Sequence, residues 1–197
     1  MSSSSNSDAD SQAGSSTQVQ SENPDIRQQV DESRGTMKKL ELLIPGLRGY
    51  RTKEDIRVSD DLLRNQVSDK IDTAKSNLEG LRKQMVLAGD YNNLTTVGSL
   101  MSQLQQFSGE IRHSQQGYSG IAATFPFNDP RLNKLYDYDY DFVNAALALV
   151  NTTSSIVYDP TSPASINPQL AKIQSLIQDF KQKWSVRIEA VENILQH

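Results

Sequence analysis

The sequence contains no cysteine, only two histidines and a single tryptophan among its 197 residues. Without cysteine, disulfide bonds and cysteine-ligated zinc or iron–sulfur centres are excluded. The longest uninterrupted apolar run, residues 145–150, is too short to cross a membrane. The N-terminus lacks a basic stretch followed by an apolar core, and residue 2 is serine, so we expect neither a secretory signal nor myristoylation. These absences favour a cytoplasmic protein.

The net charge of −4 is concentrated at the N-terminus. Residues 1–35 hold six acidic and two basic residues, a net −4, and the remaining 18 acidic and 18 basic residues cancel. Because the body is neutral, we expect no broad electrostatic capture of nucleic acid. Residues 1–24 consist mainly of Ser, Gln, Asn, Asp and Gly, too polar to bury a core. We therefore predict a disordered, serine-rich tail over residues 1–35.

Four segments of the remaining chain repeat apolar residues at steps of three and four, which is typical of helices with one buried face. Asp129-Pro130 and Asn167-Pro168 are typical helix starts, and Gly89-Asp90 is a typical helix stop. The predicted helices span about residues 53–88, 94–114, 130–157 and 168–196.

None of these helices can bury its apolar face alone, so we predict an all-α fold in which residues 52–197 form an up-down four-helix bundle. A three-helix core with a looser fourth helix is the alternative. The nearly heptad spacing from Ile71 to Ala88 also permits coiled-coil pairing between chains.

A short basic amphipathic segment, residues 36–51, precedes the bundle. It is predicted to form a helix over residues 36–44 that ends at Pro45-Gly46. One interpretation places this segment on an anionic membrane surface. The other folds it back onto the bundle, where its leucines are buried. The membrane-contact candidates are Lys38, Lys39, Leu40, Leu43, Ile44, Arg48 and Arg51.

The up-down topology brings three segments to the same end of the bundle. They are the turn around residues 45–50, the loop at residues 115–128 and the Tyr/Asp run of residues 136–141. Aromatic residues at such an end either plug the core or line a binding site. If a ligand or partner binds at this end, the candidate residues are Arg48, Tyr50, Tyr118, Phe125, Phe127, Tyr136, Asp137 and Tyr140.

Glu110 and His113 match the Glu-x-x-His pattern of di-iron bundles, which require two such motifs. The other histidine is the terminal His197, so the second motif does not exist. We therefore expect Glu110 and His113 to lie on a solvated helix face. No metal site, cofactor site or catalytic residue is predicted.

Residues 44–54 read Ile-Pro-Gly-Leu-Arg-Gly-Tyr-Arg-Thr-Lys-Glu and are followed by Arg57, Asp60 or Asp61, and Leu63-Arg64. This stretch resembles the opening of a group of uncharacterised prokaryotic helical proteins, whose pattern is Ile-Pro-Gly-x-x-Gly-Tyr-x-x-Lys-Glu. The resemblance covers about twenty residues and implies a helical fold without an activity. From the residues themselves, we expect Arg57 and Arg64 to form surface ion pairs of little energetic value with Asp60 and Asp61.

The chain has helices with one apolar face each and no catalytic motif. This combination predicts a non-enzymatic interaction or scaffold module that binds another protein or self-associates. The alternatives are a peripheral membrane adaptor that uses residues 37–53 and a small-ligand site at the aromatic end.

Overall fold

The structure of the chain is a computed structural model that describes residues 26–47, 53–114 and 130–196. Within these ranges the chain is helical and contains no β-strand, which confirms the all-α prediction. A 3-10 turn at Pro163–Ile166 precedes the last helix. The α-helices are α1 (Ile26–Leu43), α2 (Lys53–Leu87), α3 (Leu94–His113), α4 (Pro130–Ser154) and α5 (Asn167–Gln196).

Helices α2 to α5 form a four-helix bundle. Helix α2 packs against α3 and α4, and α5 packs against the same two helices, so α2 and α5 occupy opposite corners. Ser68 Oγ of α2 donates to the carbonyl of Ser108 on α3 at 3.3 Å. Lys75, further along α2, contacts Gln105, which precedes Ser108 on α3. The two helices are therefore antiparallel, as the short connection between them predicts.

The end of α2 follows from a glycine with a left-handed backbone. Gly89 has a φ of +72°, a conformation that favours glycine because it has no Cβ. Its N–H donates to the carbonyl of Val86 at 3.1 Å, and the N–H of Asp90 donates to the carbonyl of Met85 at 2.9 Å. This pair of bonds is the Schellman motif, and it confirms the predicted stop at residues 89–90.

Helix α4 ends at Ser154, three residues before the predicted end. The hydroxyls of Thr153, Ser154 and Ser155 each donate to a backbone carbonyl one turn earlier, which competes with helical hydrogen bonding. Val157 has already left the helix, because its N–H and carbonyl both bond the side-chain amide of Gln169. The prediction that Val157 belongs to the helix is therefore wrong.

Helix α1 begins at Ile26, so the predicted tail boundary at residue 35 and the predicted helix start at residue 36 are both wrong. Residues 27–34 contain few apolar residues, but they are rich in Arg, Gln and Glu, which have high helix propensity. Composition alone had assigned them to the tail. The predicted disorder over residues 1–25 lies outside the described residues.

An aromatic group fills the centre of the bundle. The rings of Phe107 on α3 and Phe180 on α5 meet edge to face, with centroids 5.1 Å apart. Phe142 on α4 contacts Phe180 at 5.2 Å and stacks on Trp184 at 5.1 Å. All four side chains are buried, so the aromatic group joins three helices through dispersion and ring contacts.

Candidate functional site

Four charged side chains are buried inside the bundle, near the end where α2 begins and α3 finishes. Arg187 Nε of α5 donates to Asp139 Oδ1 of α4 at 2.6 Å. Arg187 Nη1 also lies 2.6 Å from Asp60 Oδ1 of α2, across the diagonal of the bundle. Arg64 Nε donates to the other oxygen of Asp60, Oδ2, at 2.8 Å. We call Asp60, Arg64, Asp139 and Arg187 the buried ion network.

The buried ion network connects all four helices of the bundle. Arg64 Nη1 lies 3.4 Å from the carbonyl of Ile111 and 3.3 Å from that of Arg112, to which it donates at the C-terminal end of α3. A cation at this end also complements the helix dipole. The Arg187 guanidinium lies 5.7 Å from the ring centres of both Phe142 and Trp184, which places it within cation–π range.

The expectation that Asp60 and Arg64 form surface ion pairs is wrong, because Asp60 is 1% exposed and Arg64 is 7% exposed. Removing charged groups from water costs free energy, and the loss of one partner of a buried pair leaves the other charge buried and uncompensated. We therefore expect the network to favour arrangements of the four helices in which these charges stay paired. Asp61 also contacts Arg64, but it lies at the surface.

The Tyr/Asp run at the start of α4 divides between core and surface. Tyr136 is buried in the core, whereas Asp137 is exposed. Tyr140 is half-buried, and Lys39 Nζ of α1 lies 5.6 Å from its ring centre. Tyr136 therefore plugs the core and is not available to a ligand in this conformation. The other candidates at this end, Arg48, Tyr50, Tyr118, Phe125 and Phe127, lie outside the described residues.

The pre-bundle segment folds back onto the bundle. Leu40 and Ile44 are fully buried in the hydrophobic core, and Leu43 is half-buried, while Lys38 and Lys39 are exposed. The prediction that Leu40 and Ile44 contact a membrane is wrong for this conformation, because both already pack against protein. Arg48 and Arg51 lie outside the described residues. Across the described helices, none is both long enough and apolar enough to cross a membrane.

Glu110 and His113 are both exposed on α3, as predicted for a solvated helix face. Within residues 26–47, 53–114 and 130–196, no three His, Asp or Glu side chains lie close enough together to hold a metal ion.

A surface groove of about 690 Å³ runs between α2 and α3. Leu94 and Met101 contribute apolar surface, and both are half-buried against the core. Lys75 and Arg82 of α2 line the opposite side of the groove. Thr95, Gly98, Ser102, Gln105 and Gln106 of α3 complete the lining. We call this the α2–α3 groove.

Both charged residues that line the α2–α3 groove are cations. Lys75 donates to the neutral side chain of Gln105. Neither Lys75 nor Arg82 has a carboxylate within 4.0 Å in the part of the chain that the structure describes. Glu79 is exposed one helical turn from both cations, but it does not line the groove. The groove therefore combines an apolar surface with two cations that form no ion pair within 4.0 Å among the described residues.

A second groove, of about 250 Å³, lies between α4 and α5 and is lined by residues such as Tyr138 and Val186. Its charged residues include Asp179 and Lys183, which form an ion pair at 2.7 Å. The third charged lining residue, Asp141, forms no ion pair with the described residues, so the second groove carries one unpaired carboxylate where the α2–α3 groove carries two cations.

At the opposite end of the bundle from the buried ion network, Asp90 connects the loop between α2 and α3 with the loop that follows α4. The Tyr158 hydroxyl donates to Asp90 Oδ2 at 3.2 Å. Desolvation by the neighbouring protein, followed by the negative charge of Asp90, raises the pKa of Tyr158 above 10.0. In the same loop, hydrogen bonds donated by Thr161 hold the pKa of Asp159 below 3.8. The contact between Tyr158 and Asp90 therefore depends on a neutral tyrosine.

Compared with known proteins, the chain matches no family model, no curated protein and no solved structure. The resemblance of residues 44–64 to uncharacterised prokaryotic helical proteins stays a prediction.

The α2–α3 groove and two members of the buried ion network, Asp139 and Arg187, were not predicted from the sequence. Asp139 and Arg187 each occupy a buried position of an apolar stripe, and a charge at such a position was the available signal. No sequence pattern indicated the groove, because its two sides come from different helices and the pattern within one helix does not predict the position of another.

Proposed function

We propose that this chain is a non-enzymatic, protein-binding helical bundle whose partner docks in the α2–α3 groove. The observation that carries the proposal is the groove itself, where half-buried apolar side chains lie beside two cations without acidic partners. Binding surfaces commonly place apolar contacts beside charged groups that select the partner. Methionine suits such a surface because its flexible side chain adapts to different shapes.

The dimensions of the groove favour a protein segment as the ligand. Its lining on α3 runs from Leu94 to Gln106, which corresponds to roughly 18 Å along the helix axis. It is a shallow surface between two helices, whereas small-molecule sites usually enclose most of the ligand.

Site-specific photo-crosslinking in cells tests this proposal. A photoreactive phenylalanine analogue is placed at Gln106, which lines the groove, and at Gln178, an exposed glutamine on α5 that lines neither groove. We expect a defined crosslinked product from Gln106 and none of the same mass from Gln178. Mass spectrometry then identifies the partner and its contact segment.

A blocking variant and its matched control make the test specific. Gly98→Leu fills the groove, and Gly80→Leu adds the same side chain on an exposed part of α2; an added Cβ meets nothing within 4 Å at either glycine. We expect Gly98→Leu to abolish the Gln106 crosslink and Gly80→Leu to preserve it. Equal crosslinking from Gln106 and Gln178, or no effect of Gly98→Leu, would contradict the proposal.

A further inference from the structure

The charges of the α2–α3 groove specify the electrostatic character of its partner. Lys75 and Arg82 are seven residues apart on α2, so they lie two turns apart along one side of the groove. The α3 residues that line the groove carry no charge. A partner with carboxylates along one flank would therefore meet two cations and no lining carboxylate.

Gly98 and Ser102 determine how closely a partner can approach. They are four residues apart and both line the groove, so they lie on one face of α3. An added Cβ at Gly98 meets nothing within 4 Å, so the fold itself does not require glycine there. Glycine inside a helix is destabilising relative to alanine. Gly80 and Gly109 are equally open, and what distinguishes Gly98 is its position in the groove.

We propose that the occupant of the α2–α3 groove is an amphipathic α-helix of the partner protein, with an acidic flank that faces Lys75 and Arg82. This inference rests on the proposed function and specifies its partner. A third helix packs naturally on two antiparallel helices, because its side-chain ridges fit their groove. The length of the groove accommodates about three to four turns of such a helix.

Two other occupants fit the observations less well. A second copy that docked through the same groove would bring the Lys75 and Arg82 side chains of both copies together, and like charges repel. Residues 1–25 of this chain contain four acidic and no basic residues, but Val19 is their only β-branched or leucine-type apolar side chain. They therefore lack the apolar stripe that an amphipathic helix needs.

The four methionines of the full-length chain supply a built-in reporter. Met101 lines the groove, Met85 is buried in the core, and Met37 lies on α1 away from the groove. In a protein labelled with carbon-13 at the methionine methyl groups, NMR therefore distinguishes groove binding from binding elsewhere. The probe is a helix-stapled synthetic peptide of about 16 residues with Leu and Ala on one face and Glu on the flanks. The control peptide has Lys in place of every Glu.

We expect the acidic peptide to shift the Met101 signal and to leave that of Met37 unchanged. Its affinity should exceed that of the lysine peptide at least tenfold, and the difference should shrink as salt rises. The double variant Lys75→Glu with Arg82→Glu should reverse the preference. Lys83→Glu, an exposed residue of α2 outside the groove, should retain it.

Three results would overturn the inference. The first is an unmoved Met101 signal with about 1 mM acidic peptide, far above the concentration that a specific interface requires. The second is equal binding of the two peptides. The third is a Met101 shift that depends on protein concentration without peptide, which would identify a second copy as the occupant. The crosslinking experiment separates the two proposals, because a groove partner without an acidic helix refutes this inference and leaves the proposed function intact.

Discussion

Arg187 of α5 and Asp139 of α4 form an ion pair at 2.6 Å in which neither side chain is more than 1% exposed. Arg187 also contacts Asp60 of α2, the helix at the opposite corner of the bundle. A buried ion pair offsets the cost of removing its charges from water only when its partners meet with good geometry. We therefore expect the Arg187 contacts to favour arrangements in which α2, α4 and α5 keep these relative positions.

Removing one partner of the buried pair should be costly. Asp139→Ala leaves the Arg187 guanidinium short of a carboxylate inside the core, and we expect it to lower the free energy of unfolding by about 3–5 kcal/mol. Asp141→Ala changes an exposed aspartate on the same helix, and its effect should stay within about 0.5 kcal/mol. Urea unfolding followed by circular dichroism measures both. Similar stabilities for the two variants would show that the pair contributes little.

Replacing both members of the pair should cost less than the two single changes combined. Arg187→Met together with Asp139→Leu removes both charges, and Asp60 keeps its hydrogen bond from Arg64. In a double-mutant cycle, we expect the double variant to be more stable than additivity predicts by roughly 0.5–3 kcal/mol. Additive losses would mean that Arg187 and Asp139 stabilise the bundle independently, against the geometry described above.

The positions of α2 to α5 were predictable because each helix repeats apolar residues where it faces the core. On α2, residues such as Leu63, Val67 and Ile71 recur at steps of four and are fully buried. Gly89 and the prolines then specify the breaks between helices through backbone geometry, which needs no tertiary information. The bundle could therefore be predicted from local pattern alone.

Asp139 and Arg187 were not predicted as members of the buried ion network, because apolar residues alone were used to find the buried helix faces. On α5 the apolar residue four positions after Trp184 is Ile188, which is only half-buried, whereas Arg187 is buried. Steps of four and three from Phe180 through Trp184 lead directly to Arg187, so the charge was visible at a core position. Its partners on α4 and α2 depend on how those helices are aligned, which no single helical segment reveals.

Two glycine-to-alanine changes should shift stability in opposite directions. At Gly98, a new methyl group meets nothing within 4 Å, so Gly98→Ala should raise the free energy of unfolding by about 0.5–1 kcal/mol through helix propensity. At Gly89, where φ is +72°, alanine is strained, and a loss of roughly 1–2 kcal/mol is expected. Urea unfolding of the two variants checks both signs. A loss of stability in Gly98→Ala would reveal an internal packing role for this glycine.

The contact between Tyr158 and Asp90 should make part of the stability sensitive to alkaline pH. Because the pKa of Tyr158 in the folded protein is raised above 10.0, the folded state retains this proton more strongly than the unfolded state. The resulting stabilisation is complete below pH 10.0 and is lost as the pH rises through the folded-state pKa. We therefore expect the wild-type protein to exceed Tyr158→Phe in thermal stability at neutral pH and to lose that advantage at strongly alkaline pH.

Thermal unfolding of wild type and Tyr158→Phe across this pH range measures the effect. Other titrating groups contribute equally to both proteins, so their contributions cancel in the difference in thermal stability. Tyr91→Phe is the matched control, since Tyr91 is exposed near the same loops and forms no hydrogen bond with the described residues. Its stability should follow that of the wild-type protein at every pH. A constant difference in thermal stability between wild type and Tyr158→Phe from neutral to alkaline pH would contradict the prediction. It would show that the contribution of the Tyr158 hydroxyl does not depend on its ionisation.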